Sequence, residues 1–142
     1  MDKSPDSDRY QRIAKRLDPK LIDYVKRTGR LNDAEGLPPE QDIALAIEVS
    51  KEQPLASLHL LDDAYKRMRA LGKLRPDSLA ERREVYEELR ILKEQIGDLA
   101  DGIEKGYREK GREMDYSEKG LLRKYRGTAT EIADDLKRLK LD

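Results

Sequence analysis

Val85, Leu89, Leu92, Ile96, Leu99 and Ile103 recur at alternating spacings of four and three, which is the a and d pattern of a heptad seam. A second seam runs through Leu122, Tyr125, Ala129, Ile132, Leu136 and Leu139. Residues that oppose each other in an antiparallel hairpin have a constant sum of positions. Ile103 with Tyr125, Leu99 with Ala129, Ile96 with Ile132, Leu92 with Leu136, and Leu89 with Leu139 share one sum, and each pair sets an a position against a d position. The centre of that symmetry is residue 114, between Gly111 and Asp115, where the sequence reads as a loop. One layer further out Gly106 faces Leu122, and beyond it Lys110 faces Glu118, so the apolar seam gives way to charge near the tip. The pattern predicts an antiparallel, coiled-coil-like helical hairpin over 78–141, with its tip near 111–117. At about 1.5 Å rise per residue the seam is roughly 27 Å long. Ser78 with Glu81 and Asp115 with Glu118 have capping-box spacing at the two helix starts.

The chain ahead of the hairpin reads as helical too, so the fold class is all-α. Residues 1–7 are expected to be a flexible tail, and residues 8–74 a small bundle of about four short helices. Tyr10, Ile13, Ala14 and Leu17 share one helical face after Asp8. Asp18-Pro19 supplies an N-cap and an N1 proline for a second helix lined by Leu21, Ile22 and Val25 and stopped by Gly29. A third helix is expected over Pro39 to Lys51, with Ile43, Ala46, Ile47 and Val49 inward. A fourth is expected over Leu55 to Leu71, with Leu58, Leu61, Ala64, Tyr65, Met68 and Leu71 inward, before Gly72 and Pro76.

Charged residues are 42% of the chain and hydrophobic residues 37%, a balance that raises the question of disorder. Zero net charge and strict apolar periodicity argue instead for a folded protein with a thin core. The absence of Cys excludes disulfides, thiolate nucleophiles and Cys metal sites. One Asn and four Gln among abundant Glu, Lys and Arg fit a thermophilic source, and equally a surface-rich helical protein. No apolar run reaches membrane-spanning length. The start MDKSPDSDRY has no signal-peptide core, which points to the cytoplasm.

The zero net charge is unevenly laid out. Residues 77–104 carry nine acids against four bases, whereas residues 105–126 carry eight bases against four acids. The shaft of the hairpin is acidic and its tip basic. Lys105, Arg108, Lys110, Arg112, Lys119, Arg123, Lys124 and Arg126, with Tyr107 and Tyr116, are the candidate partner or phosphate contacts. Cations with aromatics suit phosphates and stacked bases; an acidic protein partner or a merely solvated surface would use the same residues. A second stripe, Leu79, Tyr86, Ala100 and Tyr107, lies beside the first seam as a candidate interface, toward the N-terminal helices or toward another subunit. Gly97, Gly102 and Gly106 within the long helix read either as tolerated weak points or as a place for close approach by a partner backbone.

Groups for catalysis are sparse. The single His, His59, sits in LASLHLL and reads as a core or edge histidine. No ExxH pair or EF-hand loop is present, and GYREKG lacks the Lys and Ser or Thr that a phosphate loop needs. No cofactor, metal site or enzymatic activity is expected; a small helical enzyme using Arg, Lys and Glu is the exception left open. Two functional readings follow. The first is a non-catalytic interaction or scaffolding protein that oligomerises or docks through its hairpin, with itself or another protein as partner. The second is nucleic-acid or ribonucleoprotein binding through the basic tip. In outline, a helical N-terminal module followed by a hairpin is similar to phage terminase small subunits, a likeness of architecture alone, which implies DNA binding and ring formation.

Overall fold

The computed structural model describes residues 5–139, and among them the secondary structure is helical throughout. Six α-helices follow one another: α1 (Pro5–Arg16), α2 (Pro19–Thr28), α3 (Pro39–Val49), α4 (Pro54–Ala70), α5 (Leu79–Glu109) and α6 (Tyr116–Arg138), with a 3₁₀ turn at Asn32–Ala34. The all-α class read from the sequence is the class of the fold. The tail expected over 1–7 is shorter by the described part of it, since Pro5 already opens α1 and residues 1–4 lie outside the described residues. Proline at a helix start lacks an N–H that would have no partner there, and three of the other helices also open on or just after a proline.

The chain divides into two compact units between Met68 and Arg69. The expected boundary lay in the connection 75–77; this division lies two residues before the end of α4, and Arg69, on its far side, pairs with Glu131 of α6 at 2.8 Å.

In the first unit α3 is the centre, with α1 and α2 packed on it. Asp42, Ile43, Ala44, Leu45, Ala46 and Val49 are all buried, so α3 has no solvent face over its middle turns. A helix apolar all round belongs inside, and this explains why a single inward stripe describes α3 poorly. The Ser57 hydroxyl donates to the Ala46 carbonyl at 2.6 Å and joins α4 to α3. Gly29 ends α2 at φ 69°, and a side chain there would meet Gln53 Oε1 at 2.8 Å. That glutamine is held in place by its own bond to the Lys26 carbonyl at 3.0 Å.

In the second unit α5 and α6 pack on one another and are joined by residues 110–115. Val85, Leu89, Leu92, Ile96 and Ala100 are the buried residues of α5. Toward the tip the buried line passes to Ala100, and Leu99 and Ile103 become half-buried. An α-helix with 3.6 residues per turn drifts about 20° per heptad from a strict seam, and over two heptads this turns the inward face toward the following residue, Ala100. On α6 the buried residues are Leu122, Tyr125, Thr128, Ile132 and Asp135, followed by Leu139 at its end. Ala129 and Leu136 are half-buried beside them. Arg126 bridges the helices, to Asp101 at 2.9 Å and Glu104 at 2.7 Å. The midpoints of these two pairs, 113.5 and 115, lie on either side of the residue-114 centre implied by the seams.

Candidate functional site

The turn between α5 and α6 is built by backbone hydrogen bonds. Gly111 adopts φ 64° after Lys110; its N–H donates to the Arg108 carbonyl at 3.1 Å, and the Arg112 N–H donates to the Tyr107 carbonyl at 3.0 Å. These two bonds form a Schellman motif, which needs a left-handed residue and therefore favours glycine. The motif brings residue 112 back over residue 107, a contact that is usually apolar. Here the Arg112 guanidinium lies 5.6 Å from the centre of the Tyr107 ring, a cation–π contact.

The start of α6 is equally determined. Asp115 accepts the Glu118 N–H at 2.8 Å, and Glu118 accepts the Asp115 N–H at 2.9 Å. The capping box stabilises the helix start by about 1 kcal/mol. It also ties two of the four tip carboxylates to backbone. A third, Glu109, lies 3.9 Å from Lys105.

The predicted contact residues therefore separate into three groups. Arg126 belongs to the hairpin itself: its hydrogen bond to Glu104 is the main reason its pKa is raised, and Asp101 adds to it. Arg112 covers Tyr107, and Lys124 lies 5.6 Å from the Tyr125 ring centre. Arg108, Lys110, Lys119 and Arg123 are exposed and, among the described residues, have no acidic partner. Tyr116, the first residue of α6, is 92% exposed. The tip thus presents four unpaired cations and one bare aromatic ring.

The candidate stripe beside the seam does not form one continuous face. Leu79 is 54% exposed and Ala100 is in the core, while Tyr86 and Tyr107 are half-buried. The drift that carries Ala100 inward is what separates them. An added Cβ at Gly97, Gly102 or Gly106 would meet nothing within 4 Å among the described residues, so no close approach within the chain requires these glycines.

The first unit holds a site that the sequence reading passed over. Asp42 of α3 is 0% exposed, and neither carboxyl oxygen has a hydrogen-bond donor within reach. Burial pushes its pKa up to about 8; the charge of Asp63 and a hydrogen bond with it push the same way, and Arg67 opposes them. Two carboxylates cannot donate to each other. A proton kept on Asp42 turns the pair into a carboxyl–carboxylate hydrogen bond, while Asp63 also holds Arg67 at 3.2 Å. Asp63 and Arg67 line a cleft of about 330 Å³ together with His59, one turn earlier on α4. His59 is exposed, outside the core, between buried Leu58 and Leu60. No periodicity signals Asp42, because the residues that follow it on α3, Ile43 to Ile47, are apolar on every face. The only trace in the sequence is the His59, Asp63, Arg67 spacing of four and four.

No protein-family model matches this chain, and neither a curated protein nor a solved structure similar to it was found.

Proposed function

We propose that this chain is a non-catalytic interaction protein that docks through the tip of its α5–α6 hairpin onto an acidic surface of a protein partner. One observation carries the reading: among the described residues Arg108, Lys110, Lys119 and Arg123 stand without acidic partners while the nearby Asp115 and Glu118 carboxylates are committed to backbone N–H groups. Opposite charges one helical turn away stabilise a surface cation, as Glu87 and Glu94 do for Arg90. Here that balance is missing where the hairpin projects its turn. Steering by such a patch acts first on association rate and is salt-dependent. With no Cys and one exposed His, the chain offers little for nucleophilic or metal chemistry.

The test is affinity capture with the full chain, compared with a Lys119→Glu/Arg123→Glu variant, followed by light scattering of whatever is retained. Loss of an acidic protein from the variant's capture supports the reading. A partner retained equally by both proteins refutes the tip as the docking surface. Exposed Tyr116 among the cations favours a second reading, single-stranded nucleic acid stacked on the ring. In that case absorbance at 260 nm travels with the protein, and Tyr116→Ala weakens binding as much as the charge reversal does.

A further inference from the structure

A second cationic site lies at the other end of the α5–α6 pair. The connection after α4, the first turn of α5 and the last turn of α6 enclose a cleft of about 510 Å³. Four arginines line it: Arg69, Arg75, Arg82 and Arg138, and Asp135 is the one carboxylate in its wall. Two of the four are accounted for locally. Arg69 pairs with Glu131 at 2.8 Å, and Arg138 pairs with Asp135. Both also sit in the last turn of a helix, where the backbone dipole favours a cation.

Arg75 and Arg82 have neither reason. Among the described residues no ion pair holds either one, and both are exposed. Arg82 stands in the first turn of α5, the end of a helix that disfavours positive charge. Arg75 is on the connection, positioned by the turn that Gly72 makes at φ 72°. Counting Glu131, the cleft keeps an excess of two positive charges. Crowded guanidinium groups repel one another unless an anion sits among them, and their planar donor forks match phosphate oxygens in pairs.

We propose that this cleft binds a small molecule bearing a phosphate ester. A phosphate monoester carries a charge of about −1.5 to −2 at neutral pH, which matches the excess. The volume lies in the range of roughly 300–1,000 Å³ that small-molecule sites occupy, more than a bare phosphate fills. Leu74 and Leu139 supply an apolar wall for the organic part of the ligand. This site is independent of the hairpin tip and does not rest on the tip's reading.

The experiment titrates the full chain with inorganic phosphate, phenyl phosphate and adenosine monophosphate by calorimetry at constant ionic strength. The expected result is saturable binding of at least one ester with Kd near or below about 1 mM, tighter than inorganic phosphate. Arg75→Glu and Arg82→Glu should each weaken it by at least about tenfold, and Arg75→Gln and Arg82→Gln by less. The Lys119→Glu/Arg123→Glu variant should bind as the parent does. Circular dichroism and melting temperature serve as the folding check for every variant. The proposal is overturned if none of the three probes binds saturably, if the Arg75 and Arg82 variants bind undiminished, or if the tip variant loses binding equally.

Discussion

Replacing Asp42 by Asn should stabilise the protein, and the gain should grow as pH rises. The native carboxyl holds its proton up to about pH 8, whereas in the unfolded chain it releases it near pH 3.8. Between those values the unfolded state is the one that ionises freely, so the native state loses about 1.4 kcal/mol per pH unit relative to it. The sign follows from the raised native pKa: the carboxyl's contribution is intact below pH 3.8, declines through the neutral range and levels off above about pH 8. At pH 7 the accumulated loss has an upper bound of about 4 kcal/mol. Asn has the same shape, never ionises, and can donate its amide N–H to Asp63. Urea unfolding followed by circular dichroism at pH 5, 6, 7 and 8 reads the difference directly. A gain of about 4 kcal/mol moves the midpoint by roughly 2 M urea when the slope is near 2 kcal/mol per M. At pH 5 the gain should be about 1–2 kcal/mol. Stability curves that run parallel from pH 5 to pH 8 would refute the reasoning, because they would mean that Asp42 is already ionised in the folded protein. Asp63→Asn is the companion variant. It removes the second-largest cause of the shift, so the wild-type slope should shrink even though the Asp63–Arg67 ion pair is lost.

Two further outcomes follow from the helices. Gly102→Ala should stabilise α5 by about 1 kcal/mol and raise the melting temperature by a few degrees, since nothing within 4 Å opposes the added methyl; a loss of stability by calorimetry would mean that another backbone packs there. Gly29→Ala should cost more than about 1 kcal/mol by chemical denaturation, because φ is 69° and the new Cβ meets Gln53; Gln53→Ala combined with it should recover only the steric part.

The helices were legible because their ends are written in residues with one local meaning. Asp18-Pro19, Gly29, Ser78 and the Asp115/Glu118 pair cap helices in the structure at the positions where their chemistry places them. Burial was legible where a stripe meets a single neighbour, as at Leu89, Leu92 and Ile96. It was not legible in α3, where burial on all sides leaves no period to detect, nor at Leu71, which lies beyond the end of α4 and is exposed. The tip cations were visible as a local excess of charge, but which of them are unpaired depends on contacts across the hairpin, as Arg126 illustrates. Asp42 left only the four-and-four spacing of His59, Asp63 and Arg67, and the arginine cleft no signal, because each needs residues from more than one helix and proximity of that kind has no local pattern.

The capping box at the start of α6 also fixes how the tip meets an ionic solution. Carboxylates locked onto amide hydrogens cannot swing out to neutralise a lysine or arginine when no partner is present. Mobile salt is then what shields those cations, over a distance of about 8 Å at physiological ionic strength. An encounter made through this end of the molecule should therefore respond to the concentration of the medium more steeply than a zero net charge would suggest.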